Sequence, residues 1–299
     1  MDTKSGQEEV VENLINRMTL REKVGQCMVI GFAGSMITPK ILDDIDRYRP
    51  AGVRVTSGNM RVKNAVHDPY AGGEFGQSIN RQPKGAMKDL LPGVEPPYCT
   101  NSEYCEVLNK LKRQAVKDGA AIPLHATMDM EGNMSCDHPR GGIKLFPDPM
   151  GIAQSDDPQM ARKVAWATGR QLGPLGVNWM HSPVLGVNTN PNNPEIGTRS
   201  YSEDSEKVAQ FAVEALKGFQ DANIIATGKH FPGRGESTSD AHHGLPSISL
   251  SRREMEDHLR PFKACVDAGI PAIMTAHTIY PGLGDDKNPA TLSKPIITG

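Results

Sequence analysis

Segment 229–246, KHFPGRGESTSDAHHGLP, holds the densest set of chemically able side chains in the chain. It leaves an apolar run through a cation, Lys229, and an imidazole, His230, crosses a Gly/Ser-rich stretch and ends in the pair Asp240-x-His242. A carboxylate two residues from an imidazole can accept its N–H, fix its tautomer and stabilise the imidazolium. The second ring nitrogen is then free to carry protons to and from a substrate. A loop that folds over a ligand would bring His242 to the chemistry. Taken alone, Asp-x-His is a weak signal that fits a surface pair with no role better, so the surrounding elements decide.

Short apolar runs at 26–33, 52–57, 123–131, 176–185, 223–231 and 271–277 alternate with longer amphipathic stretches. Their near-continuous apolar character suits parallel strands buried on both faces. Between them, Ser251-Arg-Arg-Glu254 has the form of a capping box and is followed by Met255, Leu259, Phe262 and Val266 at helical spacing. Three further stripes read as core-facing helices: Val208, Phe211, Ala212, Ala215, Leu216 and Phe219; Leu108, Leu111 and Ala115; Val164, Ala167 and Leu172. Alternation of this kind predicts right-handed βαβ units. Asp129, Glu131, His181, Lys229, His230 and His277 fall at the ends of the apolar runs. The carboxyl ends of barrel strands are where α/β barrels place their active sites. The predicted fold is therefore α/β, a (β/α)8 TIM-type barrel with about six of its eight strands in these 299 residues. Residues 59–102 lack periodicity and read as a long loop insertion into a single domain spanning 1–299.

Composition narrows the partners. Hydrophobic residues make up 37% and there are 30 glycines besides. That is close to the globular norm of about 45–50% and sets aside disorder, collagen and coiled coil. Thirty-three basic against 35 acidic residues leave a formal charge of −2, so neither a nucleic acid nor an anionic membrane is an expected partner. Cysteines 27, 99, 105, 136 and 265 are scattered without a CxxC pair, and the amino terminus is polar. These features predict reduced thiols in a cytoplasmic enzyme with no metal and no other cofactor.

The 229–246 segment resembles the signature KHFPGHGDTxxDSHxGLP of family 3 glycoside hydrolases, in their β-N-acetylglucosaminidase branch. MTLREKVGQ (18–26), DMEG (129–132), GVN with SPV (176–184), NPNNPEIGTRS (190–200) and NPATLS (288–293) resemble further stretches of that family. The resemblance implies an exo-acting, retaining β-N-acetylhexosaminidase that cleaves terminal β-linked N-acetylglucosamine through a covalent glycosyl-enzyme. It implies that His242 is the general acid/base, oriented by Asp240, and that Asp129, Arg199, Lys229 and His230 grip the terminal sugar. A carboxylate accepts hydroxyl hydrogen bonds while Arg and Lys donate them, so the residue types fit a carbohydrate substrate.

Several positions depart from the family pattern. The family's nucleophilic aspartate lies beyond NPATLS and is expected beyond Gly299, since Asp285 and Asp286 precede that stretch. Completion of the barrel by further C-terminal sequence or a second chain is expected accordingly. An arginine that follows the family's DQEGG is missing at its place, with Arg140 as a substitute, and Arg234 and Glu236 replace the His and Asp of GHGD. His181 is expected to be structural, His243 to stand outside the dyad, and His277 either to line the pocket or to cap its strand. The alternatives are a β-glucosidase of the same family, a phosphorylase in which Arg234 attracts the incoming phosphate, and a non-catalytic sugar-binding protein. A metal-dependent barrel hydrolase is disfavoured, because the first strand lacks a His-x-His pair.

Overall fold

The computed structural model describes residues 3–32, 37–55, 101–117, 122–132, 135–137 and 143–298. Helices α1 (Thr3–Arg17) and α2 (Leu20–Gly25) open the chain. A capping box starts α2: Thr19 Oγ1 accepts the Glu22 N–H at 3.3 Å, and Glu22 Oε2 accepts the Thr19 N–H at 2.8 Å. There follow β1 (Val29–Phe32), α3 (Pro39–Tyr48), β2 (Gly52–Val55), α4 (Asn101–Val116) and β3 (His125–Met128). Next come α5 (Pro149–Ala153), α6 (Pro158–Leu172), β4 (Trp179–Met180), α7 (Ser205–Asp221), β5 (Ile225–Phe231), α8 (Arg252–Asp267) and β6 (Ala272–Thr275). A hairpin of β7 (Ile279–Tyr280) and β8 (Asp285–Pro289) and a short α9 (Lys294–Ile297) complete the described residues.

The six strands lie side by side in chain order, each parallel to its neighbour. Sequential parallel strands joined by helices curl into a partial α/β barrel, as predicted. Strand residues Val53, Ala126, Met128, Met180 and Ala226 share one core with Leu108, Leu111, Phe211 and Leu216 of the helices. All six expected runs contain a strand, though each strand is shorter than its run. The 176–185 run yields only Trp179–Met180 in the ladder. On one side the Asn178 side chain takes the Ala126 N–H at 2.9 Å, and on the other Pro183 has no N–H to give.

Helix faces differ from the stripes in detail. On α8 the capping box forms and Met255, His258, Phe262 and Cys265 are buried, whereas Val266 is 54% exposed and lies off the face. On α6 the buried positions are Ala161, Ala165, Thr168, Gly169 and Leu172, of which only Leu172 belongs to the expected stripe and Ala161, Ala165 and Gly169 are small. A Cβ on Gly218 of α7 would sit 2.2 Å from the Arg162 carbonyl oxygen. The expected insertion at 59–102 lies outside the described residues except for Asn101 and Ser102, which begin α4.

Candidate active site

Beyond β3 the chain folds back on itself. Met130 bridges Cys136, the Glu131 N–H donates to the Ser135 carbonyl at 2.8 Å, and the Asp137 N–H donates to the Asp129 carbonyl at 2.8 Å. Three carboxylates, Asp129, Glu131 and Asp137, are thereby gathered at one strand end. Cations from three other segments meet them. Lys229, from β5, binds both Asp129 Oδ1 and Glu131 Oε1. Arg54, from β2, binds Asp129 Oδ2 and reaches Asp137 Oδ2 at 3.1 Å. Arg199, from a short 3-10 turn (Gly197–Arg199), donates from Nε to Glu131 Oε2 at 2.7 Å and from Nη2 to Oε1 at 3.0 Å.

Burial alone would raise the pKa of Asp129 and Glu131, but the facing cations win. Lys229 and Arg54 hold Asp129 well below the usual carboxylate range, and Arg199 with Lys229 does the same for Glu131. Asp137 goes the other way, up to about 6, through burial and the neighbouring Asp129 charge. His181 stands with Nδ1 3.9 Å from Asp129 Oδ1, and burial lowers its pKa to about 4. His230 is likewise held neutral by burial and by the nearby Lys229 and Arg199 charges, with its Nδ1 buried and without a hydrogen-bond partner.

A second group sits on two loops that dock together. Asn193 Nδ2 donates to the carbonyls of Arg234 at 2.8 Å and Gly235 at 3.0 Å, and Asn190 Nδ2 donates to Ser237 O at 3.0 Å. Tyr280 Oη of β7 donates to Gly233 O at 2.8 Å. The 233–242 loop so held presents the dyad, with His242 Nδ1 2.6 Å from Asp240 Oδ1. Asp240 accepts the His242 N–H at 2.9 Å as well, and these bonds outweigh burial to keep its pKa low. An ionised Asp240 requires the proton on Nδ1, which leaves Nε2 for proton exchange with a ligand. The imidazole is 43% exposed on its side chain, open to such a ligand.

Of the sequence-predicted residues, Asp129, Lys229 and Arg199 share one ion-pair network, His230 adjoins it, and Asp240 pairs with His242. His277 is exposed, with Nδ1 3.1 Å from Thr291 Oγ1. Arg140 lies outside the described residues. Arg234 differs from its expected part as an anion attractor: its side chain is buried and bound to Glu195. Arg54, Asp137 and Glu195 are members of the site that sequence reasoning passed over. The available signal was a lone arginine inside an apolar run and carboxylates in turns next to the matched motifs. Glu195, Asp240 and His242 bring donor atoms within 4.8 Å of one another. Glu195 Oε2 is bound to Arg234 and accepts the Ala241 N–H, and Asp240 Oδ1 is bound to His242 Nδ1, so hydrogen bonds already tie the three together.

The family profile described as "Glycosyl hydrolase family 3 N terminal domain" matches residues 19–299. The chain is 31% identical over 278 residues to Beta-hexosaminidase A of Pseudoalteromonas piscicida, covering 88% of this chain and 45% of that protein. The structure of a glycoside hydrolase family 3 beta-N-acetylglucosaminidase from Paenibacillus sp. str. FPU-7 superposes with a TM-score of 0.76 at 30% identity, over 94% of this chain and 46% of that one. Beta-glucoside phosphorylase BglX bound to 2FGlc shares the fold, with a TM-score of 0.75 at 21% identity over 99% of this chain and 46% of that one. The chain spans about half the length of the curated relatives it matches. With the strand-end network and the docked dyad loop in place, the match over residues 19–299 settles the lineage: the chain belongs to glycosyl hydrolase family 3.

Proposed function

We propose that the whole protein is an exo-acting, retaining β-N-acetylhexosaminidase that removes terminal β-linked N-acetylglucosamine. The observation that carries this reading is the 2.6 Å Asp240–His242 pair on a loop docked beside the strand-end network. The names of the relatives, beta-hexosaminidase and beta-N-acetylglucosaminidase, support the sugar. In the first step an aspartate from outside the described residues attacks the anomeric carbon, and protonated His242 gives its Nε2 proton to the departing oxygen. In the second step neutral His242 takes a proton from water as water attacks, releasing the sugar with retained configuration. Asp240 stabilises the imidazolium that enters the first step and forms again in the second. Asp129, Lys229, Arg199 and His230 hold the terminal sugar. Among the described residues no helix is long and apolar enough to cross a membrane, and the absence of an expected membrane partner stays part of this proposal, as does a cytoplasmic setting.

The test compares the whole protein on aryl β-N-acetylglucosaminide and aryl β-glucoside, with and without phosphate. Preference for the N-acetyl substrate with free sugar as product is expected. Faster glucoside turnover would move the protein to a β-glucosidase, and sugar 1-phosphate as the main product would make it a phosphorylase.

A further inference from the structure

Glu195 is not needed for the chemistry just described, yet it touches both halves of the site. Its side chain is only 2% exposed. Oε2 binds Arg234 Nη2 and accepts the Ala241 N–H at 3.3 Å, between the two members of the dyad. Oε1 stands 3.9 Å from His242 Nδ1 and 3.9 Å from Arg199 Nη1. Its backbone carbonyl accepts from Arg199 Nη1 at 3.1 Å. The Asn193 side chain fixes the start of this segment by accepting the N–H groups of Glu195 at 3.0 Å and Ile196 at 2.8 Å. One carboxylate thus joins the arginine on Glu131 to the loop that carries the acid/base.

We infer that Glu195 is a positioning residue whose carboxylate clamps the dyad loop to the sugar-binding network and so sets His242 over the bond to be cleaved. This rests on the glycosidase reading above. Arg234 fits the part: its buried guanidinium pairs with the same Glu195 oxygen that accepts the Ala241 N–H, so the ion pair fixes the carboxylate against the loop.

The experiment measures kcat and KM of the whole protein on aryl β-N-acetylglucosaminides with a good leaving group (2,4-dinitrophenolate) and a poor one (unactivated phenolate). Wild type is compared with His242→Ala, Glu195→Gln and the paired Glu195→Gln/Arg234→Gln. Glu195→Gln alone leaves a buried charge unpaired, a cost that can unfold the chain, and the paired variant removes both charges. The paired variant is expected to lose about 10-fold or more in kcat/KM on the poor leaving group and under about 3-fold on the good one, because kcat/KM reports the step in which the leaving group departs. If the paired variant does not fold, Glu195→Asp keeps the charge opposite Arg234 but falls short of Ala241, and must show the same selectivity. An equal loss of kcat/KM on both substrates, or wild-type kinetics, overturns the inference. His242→Ala separates the two levels of the argument. Selective loss there with unselective loss at Glu195 rejects the positioning role alone, whereas unselective loss at His242 rejects the acid/base reading itself.

Discussion

Asp129 is held by two cations of different geometry, a point charge on Lys229 and a planar fork on Arg54. The Lys229 side chain is 3% exposed and the Arg54 side chain 34%, so Arg54 is the more accessible of the two cations. On the proposed reading it would offer the sugar a cation in a chain that lacks the family's arginine at its usual place. Arg54→Lys keeps the charge and loses the fork between Asp129 and Asp137. A fall of about 10-fold in kcat/KM, mostly through KM, is expected; unchanged steady-state kinetics would remove Arg54 from the sugar site. His242→Ala is expected to cost roughly 10²–10⁴-fold on substrates with poor leaving groups. Added azide should then restore turnover as a β-glycosyl azide. Asp240→Asn should weaken the same step while sugar binding stays nearly intact. Absence of azide rescue, with equal loss on good and poor leaving groups, would reduce His242 to a loop-shaping residue.

The dyad loop depends on how closely two elements pass. A Cβ on Gly235 would lie 1.5 Å from the Val187 carbonyl oxygen, so only glycine lets the 233–242 loop rest on the segment after β4. Gly235→Ala should push the loop outward, lower kcat/KM on poor leaving groups as expected for loss of Glu195, and destabilise the fold by about 1–3 kcal/mol. Kinetics paired with thermal melts check this, and a variant with full activity would show that the loop tolerates the displacement. The strands that frame this loop were legible in the sequence because parallel strands buried on both faces leave an apolar trace. Their lengths were not, since Asn178 and Pro183 end β4 through individual hydrogen-bonding properties within a continuous run. The α6 face was misjudged by periodicity because its close approaches are made by Ala165, against Gly218 of α7, and by Gly169, against Ala222 and Ile224, and both weigh little in an apolar stripe. Asp240, His242, Asp129, Lys229 and Arg199 were legible as motif residues. Arg54 and Glu195 were not, because their roles arise from pairings across 75 and 39 residues, to Asp129 and Arg234.

At the scale of the whole molecule, the site contributes to the acid side of the stability profile. His181 and His230 are neutral in the fold, with His181 at about 4 against an ordinary 6.5 and His230 lowered as well. As pH falls below about 6.5 the unfolded chain takes up these protons and the folded chain does not, so their contribution, complete above that pH, drains away towards pH 4. Asp137, raised to about 6, opposes them between about 6 and 4, because there the folded chain holds a proton that the unfolded chain has released. Two imidazoles against one carboxyl leave a net loss. Below about 4, Asp129 and Glu131 add to it: their depressed values favour the fold only while the unfolded carboxyls are ionised. Each unmatched proton is worth about 1.4 kcal/mol per pH unit. The melting temperature is therefore expected to fall from pH 7 to pH 4 and more steeply below. His181→Gln removes one of the two imidazoles and should flatten the upper part of that slope, leaving the part below pH 4 unchanged. Parallel melting curves for the wild type and His181→Gln between pH 7 and pH 4 would show that His181 is protonated in the fold, and that Asp129 faces an imidazolium.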